Sequence, residues 1–179
     1  DLYVRMLDSE MAYSCGYWPN AKTLDEAQIA KFDLICRKLK LEKGMTLLDI
    51  GSGWGGFLRH AVRNYGVIAT GISPADQQIL LAREKSAGLN INFVQMDYRE
   101  LTGRFDRIVS VGMMEHVGPK NFKEFFAKCD ELLVEDGIML HHLISSTVPQ
   151  SDTDPFFNRY IFPGGVIPSP GQITQAAEG

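Results

Sequence analysis

Hydrophobic and polar positions along this chain fall into two alternating periods. Residues 23–40, "TLDEAQIAKFDLICRKLK", place Ile29, Phe32, Cys36 and Leu39 at helical spacing behind Thr23 and Glu26 in capping-box spacing, which predicts an amphipathic helix. A short apolar run, "MTLLDIG" (45–51), then reads as a strand, and "GGFLRHAVRNYG" reads as a helix that buries Phe57, Leu58, Ala61 and Val62 and closes at Gly66. The same alternation continues through "VIATGI", "DQQILLAREKSAG" and "INFVQM", and then through "FDRIVSVGM", "NFKEFFAKCDELL" and "IMLHHLIS".

Strands separated by helices call for right-handed crossovers and a parallel sheet covered on both faces. The expected class is therefore α/β, a doubly wound, mostly parallel sheet with helices on both faces. The pattern divides into an N-terminal segment 1–22, an α/β core 23–145, and a stretch 146–179. The last of these carries Pro149, Pro155, Pro163, Pro168 and Pro170 and the aromatics Phe156, Phe157, Tyr160 and Phe162. A loop of that length inside a compact domain reads as a lid or substrate loop, followed at "SPGQITQAAEG" by the start of another helix.

At 179 residues and 45% hydrophobic content there is apolar material for one core, and one domain is the expectation. Eighteen basic against 22 acidic residues give a formal charge of −4, which argues against a nucleic-acid binder that works by neutralising phosphates. Cys15, Cys36 and Cys129 are widely spaced and contain no C-x-x-C pair, so neither a disulfide framework nor a zinc knuckle is suggested, and a reducing cytosolic setting fits. No window approaches the apolar length of a spanning helix.

Chemistry concentrates at strand ends. "LLDIGSGWGG" sets Gly51, Gly53, Gly55 and Gly56 between a strand and a helix, where backbone can approach a ligand closely. Gly51, Gly53 and Gly56 satisfy G-x-G-x-x-G, so a dinucleotide is one reading. That reading lacks the strand-end acid expected for ribose, because Asp76 falls at a helix start. Asp49 before the loop, and Asp97 followed by Tyr98, fit S-adenosylmethionine better: the acid can accept from an adenine amino group and the ring can stack. The run "IVSVGMMEHVGPKN" ends a buried strand on Glu115 and His116, an expensive pair of groups at such a place. In "LHHL" one imidazole faces each side of a sheet, so at most one of His141 and His142 reaches a common site. The spacing of Glu115, His116, His141 and His142 matches no standard metal set.

Taken together, "YSCGYW" (13–18), "LLDIGSGWGG", "MDYREL" (96–101), "FDRIVSVGMMEHVGPKNF" (105–122) and "NRYIFPGGVIPS" (158–169) closely resemble the bacterial cyclopropane-fatty-acyl-phospholipid synthase family. The resemblance implies a class I S-adenosylmethionine-dependent methyltransferase domain, with a lipid-binding region before it and further catalytic-domain strands after it. The implied reaction adds a methylene to the cis double bond of an unsaturated phospholipid acyl chain, with bound bicarbonate as base. It implies a cytoplasmic protein at the inner membrane face, with lipid acyl chains and a homodimer among its partners and no nucleic acid. An amine or another lipid as methyl acceptor, or a silent lipid-binding module, are the alternatives.

By the same resemblance the base is held by Cys15, Glu115, His142 and the backbone of Ile144. Bicarbonate carries a hydroxyl donor and acceptor oxygens, so a carboxylate can accept from it while imidazole and amide donate, inside a dry pocket. The cofactor falls on Tyr13 and Ser14 near its methionine part, Gly51 and Gly53 beneath it, Ser73 and Gln78 at the ribose, and Asp97 and Tyr98 beside the adenine. Two departures stand out: Ser52 where several relatives carry cysteine, and Met114 in a position often aromatic, a change expected to alter the pocket's shape.

Overall fold

The computed structural model describes residues 2–148, 154–160 and 163–178. Five strands, β1 (Thr46–Ile50), β2 (Ile68–Ser73), β3 (Ile91–Gln95), β4 (Phe105–Val111) and β5 (Leu133–His142), form one sheet in the order β3-β2-β1-β4-β5. Every pairing is parallel. The helices are α1 (Leu2–Met6), α2 (Leu24–Lys38), α3 (Gly56–Tyr65), α4 (Asp76–Lys85), α5 (Met114–Val117), α6 (Phe122–Leu132), α7 (Pro155–Tyr160) and α8 (Pro170–Ala177). This is the doubly wound α/β sheet that the alternation predicts.

The period of two along β1 explains why both faces are covered. Leu47 packs with Phe32, Ile35 and Cys36 of α2 and Leu58 and Ala61 of α3, whereas Leu48 and Ile50 pack with Phe122, Phe125 and Leu132 of α6. Asp49 lies on Leu47's side, toward α2. Chain order reverses beside β1: β2 and β3 extend the sheet to one side, β4 and β5 to the other. A crevice opens at the carboxyl ends of strands at such a reversal, and ligands bind there.

Local chemistry sets the helix ends. Thr23 caps α2 by accepting from the Glu26 amide at 3.2 Å. The capping box is not reciprocal, because the Glu26 carboxylate accepts from the Lys22 amide at 2.7 Å. Gly66, at φ +67°, closes α3 as expected. One residue of the predicted α2 face is wrong: Ile29 is 43% exposed, and the buried face runs through Ala27, Gln28, Lys31, Phe32, Ile35 and Cys36. Two polar residues therefore occupy a face that apolar counting assigned to Ile29.

The stretch after β5 is more structured than a lid loop. It contains α7, and its ends meet where the Ser146 amide donates to Pro168 O at 3.0 Å. Ser169 caps α8 in a reciprocal box with Gln172. Pro149 and Phe162 lie outside the described residues, as does the side chain of Phe157. No described helix is long and apolar enough to cross a membrane.

Candidate functional site

A cavity of about 510 Å³ opens at the reversal point. Its floor is the ends of β1 and β4, with Asp49, Gly51 and Ser52 on one side and Val111, Gly112 and Met113 on the other. Ile72, Pro74 and Gln78 follow from β2, and Met96, Asp97 and Tyr98 from β3. The N-terminal segment forms a further wall with Glu10, Met11, Ala12, Tyr13 and Ser14.

The glycine loop fits this floor for steric reasons. Gly51 sits at φ +88°, and a Cβ there would stand 3.0 Å from Met113 Cγ. Gly55, at φ +79°, has no room either, since a Cβ would meet Phe93 Cζ at 2.5 Å. Gly53 shares the left-handed conformation at φ +52°, but a Cβ on it would meet nothing within 4 Å, and it does not line the cavity.

The N-terminal wall is fixed from two sides. Arg59 of α3, 2% exposed, donates its Nε to Glu10 Oε2 at 2.8 Å and its Nη1 to Trp54 O at 2.7 Å. From α2, Gln28 Nε2 donates to Ser14 O at 2.7 Å and Ala12 O at 3.3 Å, while Lys31 Nζ donates to Ser14 Oγ at 2.7 Å. Lys31 is 4% and Asp49 5% exposed, and both line the cavity. Burial pushes the Asp49 carboxyl up to about 7 against the opposing pull of Lys31, and burial brings the Lys31 ammonium down to about 8. The sequence reading missed Gln28, Lys31, Glu10 and Arg59. The available signal was a polar pair three residues apart on the apolar face of α2.

The residues assigned to the base meet in part. Glu115 lies in α5, buried, and its Oε1 accepts from the Ile144 amide at 2.7 Å. Its backbone carbonyl accepts from the Val166 amide at 2.9 Å, so α5 also ties down the segment after β5. Glu115 Oε2 and His142 Nδ1 are buried with no hydrogen-bond partner among the described residues. Two residues beyond Leu140, which packs on the α2-side core, His142 lies on that same side of the sheet; burial lowers its pKa, Lys31 lowers it further, and Glu115 raises it. His141 faces the other way, against Phe125 and Phe126 at 5.7 and 5.6 Å, and burial pushes it down to about 4. The alternation of the two imidazoles is as expected.

Three expectations are modified by the structure. Among the described residues the dry cage is incomplete: Cys15 is exposed, Ile144 is 48% exposed, and neither these two nor Glu115 and His142 line the main cavity. Cys15 lies in irregular chain outside any helix or strand, and the Ile144 amide already bonds Glu115, so the enclosure is one-sided. Asp97 lines the cavity but is partly engaged: it caps the turn at Tyr98–Glu100, and Arg99 folds back on both its oxygens at 2.9 and 2.7 Å, which leaves acceptor lone pairs on the carboxylate. Those bonds hold it below the usual carboxylate range. Met114 does not shape the cavity. It is fully buried in the α6-side core, and Met113 lines the cavity instead.

Of the other assigned positions, Tyr13, Ser14, Gly51, Gln78 and Tyr98 line the cavity, with the Tyr98 ring edge-on to Phe125 at 5.2 Å. Ser73 lies just behind, buried, and its hydroxyl donates to Gln78 Oε1 at 3.3 Å. Ser52 is buried, and its Oγ has no partner among the described residues.

Comparison with known proteins supplies the remaining facts. A family model described as mycolic acid cyclopropane synthetase matches residues 1–179. The cyclopropane-fatty-acyl-phospholipid synthase of Escherichia coli (strain K12) is 48% identical over 178 residues, 99% of this chain and 47% of that protein. A probable fatty acid methyltransferase of Pseudomonas putida is 41% identical over 96% of this chain and 47% of its own length. The chain thus spans about half the length of these relatives. Among solved structures, the cyclopropane synthase MmaA2 from Mycobacterium tuberculosis superposes with a TM-score of 0.89 at 31% identity, covering 99% of this chain and 69% of that one. The mycolic acid cyclopropane synthase CmaA1 complexed with SAH and CTAB gives a TM-score of 0.89 at 33% identity, over 99% and 69%. Coclaurine N-methyltransferase bound to N-methylheliamine and SAH gives 0.83 at 28% identity, over 95% and 54%.

Proposed function

This chain belongs to the mycolic acid cyclopropane synthetase family, and from that premise we propose that it is the cofactor-binding part of an enzyme that adds a methylene from S-adenosylmethionine to the cis double bond of an unsaturated phospholipid acyl chain. The alkene attacks the sulfonium methyl, a carbon–carbon bond forms as the carbon–sulfur bond breaks, and the demethylated thioether leaves. The resulting cation closes to a three-membered ring when a proton is lost from the transferred methyl carbon. The sulfonium supplies its own electrophilicity, so the protein orients, excludes water and holds a base.

The cavity at the strand reversal takes the cofactor. Ser14, Tyr13 and the turn at Gly51 surround its amino-acid part, Gln78 with Ser73 serves the ribose, and the Tyr98 ring borders the base. Relatives of matching fold hold SAH at 33% and 28% identity, which supports this assignment.

The observation that carries the chemistry is the pair of buried, unpartnered atoms, Glu115 Oε2 and His142 Nδ1. Leaving such atoms without partners costs about 1 to 3 kcal/mol each. A small guest with both a hydroxyl donor and acceptor oxygens relieves that cost, and bicarbonate is such a guest: when bound it supplies a base for the proton released on ring closure. Glu115 accepts its hydroxyl, held in place by the Ile144 amide. His142 and the chain around Cys15 complete the holding groups.

The test is mass spectrometry of cis-unsaturated phospholipid vesicles incubated with the intact protein and S-adenosylmethionine, with and without bicarbonate. A gain of one CH2 per double bond that requires bicarbonate is expected; no gain with cofactor present would sink the reading. A second acceptor class is favoured by the likeness to coclaurine N-methyltransferase, and an N-methylated product with unaltered acyl chains would identify it. Action at the inner membrane face and assembly as a homodimer belong to the same proposal.

A further inference from the structure

Lys31 is a buried cation whose surroundings leave it incomplete. Its ammonium carries three donors, and Ser14 Oγ takes one at 2.7 Å. The nitrogen also lies over the ring of Phe32, 5.1 Å from its centroid. No carboxylate among the described residues lies within ion-pair distance of Lys31. The acidic groups whose charge reaches it are otherwise placed: Asp8 is engaged by the Glu10 and Ala12 amides at 3.0 and 2.7 Å, Cys15 is an exposed thiol, and Asp49 stands apart in the same cavity wall. A buried ammonium with no opposite charge in contact is costly unless a ligand supplies one.

The wall of the cavity next to the glycine turn thus offers one buried cation and one buried carboxylate, Lys31 and Asp49, on facing elements α2 and β1. That is the complement of an α-amino acid in its zwitterionic form. The adjacent sulfonium needs no counter-charge here, since methyl transfer discharges it. We propose that Lys31 binds the α-carboxylate of the methionine part of S-adenosylmethionine, with Asp49 facing its α-ammonium. The inference rests on the cofactor reading above and adds to it a charged contact from α2. Gln28 works beside it by holding Ser14 O and Ala12 O, which keeps the wall at the spacing the carboxylate requires. The depressed pKa of the ammonium agrees with a charge awaiting its partner.

Calorimetric titration of the intact protein with S-adenosylmethionine and with its decarboxylated form decides the matter. Lys31→Met keeps the packing on Phe32 and removes the charge. It should weaken S-adenosylmethionine about tenfold to a hundredfold, the range of a hydrogen bond to a charged group, while leaving the affinity for the decarboxylated compound unchanged within a factor of about two. Equal losses on both ligands would mean that Lys31 acts only through Ser14, and would overturn the assignment. Lys31→Gln, which keeps a donor for Ser14 without the charge, is read in the same way if the methionine variant does not fold. Failure of the unmodified protein to bind either compound would instead overturn the cofactor reading, and this inference with it.

Discussion

Glu115 and Asp49 show how single carboxylates are set for different tasks by their neighbours. Glu115 has one oxygen fixed by the Ile144 amide and one that is buried without a partner among the described residues. In the variant Glu115→Gln the amide oxygen still accepts from Ile144, but the charge and one acceptor are gone. We expect turnover to fall by at least about a hundredfold, with the S-adenosylmethionine dissociation constant changed less than about threefold, as steady-state kinetics and titration would show. Asp49 is governed by burial. Its pKa rises from 3.8 to about 7, so between these values the folded state holds a proton that the unfolded state has released. Stability then falls as pH rises through that window. Thermal unfolding followed from pH 4 to pH 7 should lose this part of its downward slope in Asp49→Asn. For Lys31, lowered from 10.5 to about 8, the unfolded chain binds the extra proton between those values, and stability is regained as pH rises through them.

At the level of elements, the turn between β1 and α3 separates conformational need from space. Gly53 and Gly55 both hold positive φ, but only at Gly55 would a Cβ collide with the Phe93 ring, which is itself buried. Gly53→Ala should cost about 1 kcal/mol, the left-handed penalty alone. Gly55→Ala should cost about 3 kcal/mol, because overpacking adds to it. Urea denaturation of the two variants checks the ranking, and equal losses would show that Phe93 moves aside freely. The short helix α5 matters for a different reason. Its four residues carry Glu115, and the bonds from Ile144 and Val166 make it the anchor of the chain that follows β5.

On the scale of the whole molecule, the site depends on a segment with little regular structure. Residues 8–18 are held against α2 and α3 by the Glu10–Arg59 pair, by the Gln28 and Lys31 bonds, and by the Tyr17 amide donating to Ala27 O at 2.9 Å. Arg59 is so deeply buried that removing its partner leaves a charge without compensation. Glu10→Ala should therefore destabilise the protein by about 3 kcal/mol, at the lower end for a buried pair because Glu10 keeps part of its surface in water. The cofactor cavity should loosen at the same time, since Glu10 lines it. Chemical denaturation gives the first effect and titration with S-adenosylmethionine the second.

The alternation of periods was sufficient for the class of fold and the strand and helix sequence, because burial of a two-sided sheet imposes those periods directly on the chain. It also placed the glycine turn and the two-sidedness of His141 and His142, both consequences of local geometry. The bonds that complete the site join residues far apart in the chain: Glu115 to Ile144, Lys31 to Ser14, Arg59 to Glu10. Spacing along a sequence carries no trace of such partners. For the same reason the sequence carried no sign of Arg99 folded onto Asp97, and Ile29 read as core until Gln28 and Lys31 took the inner face. Periodicity reports how much of an element is covered; what covers it, and which polar atoms remain unanswered beneath, is settled only when the elements close on one another.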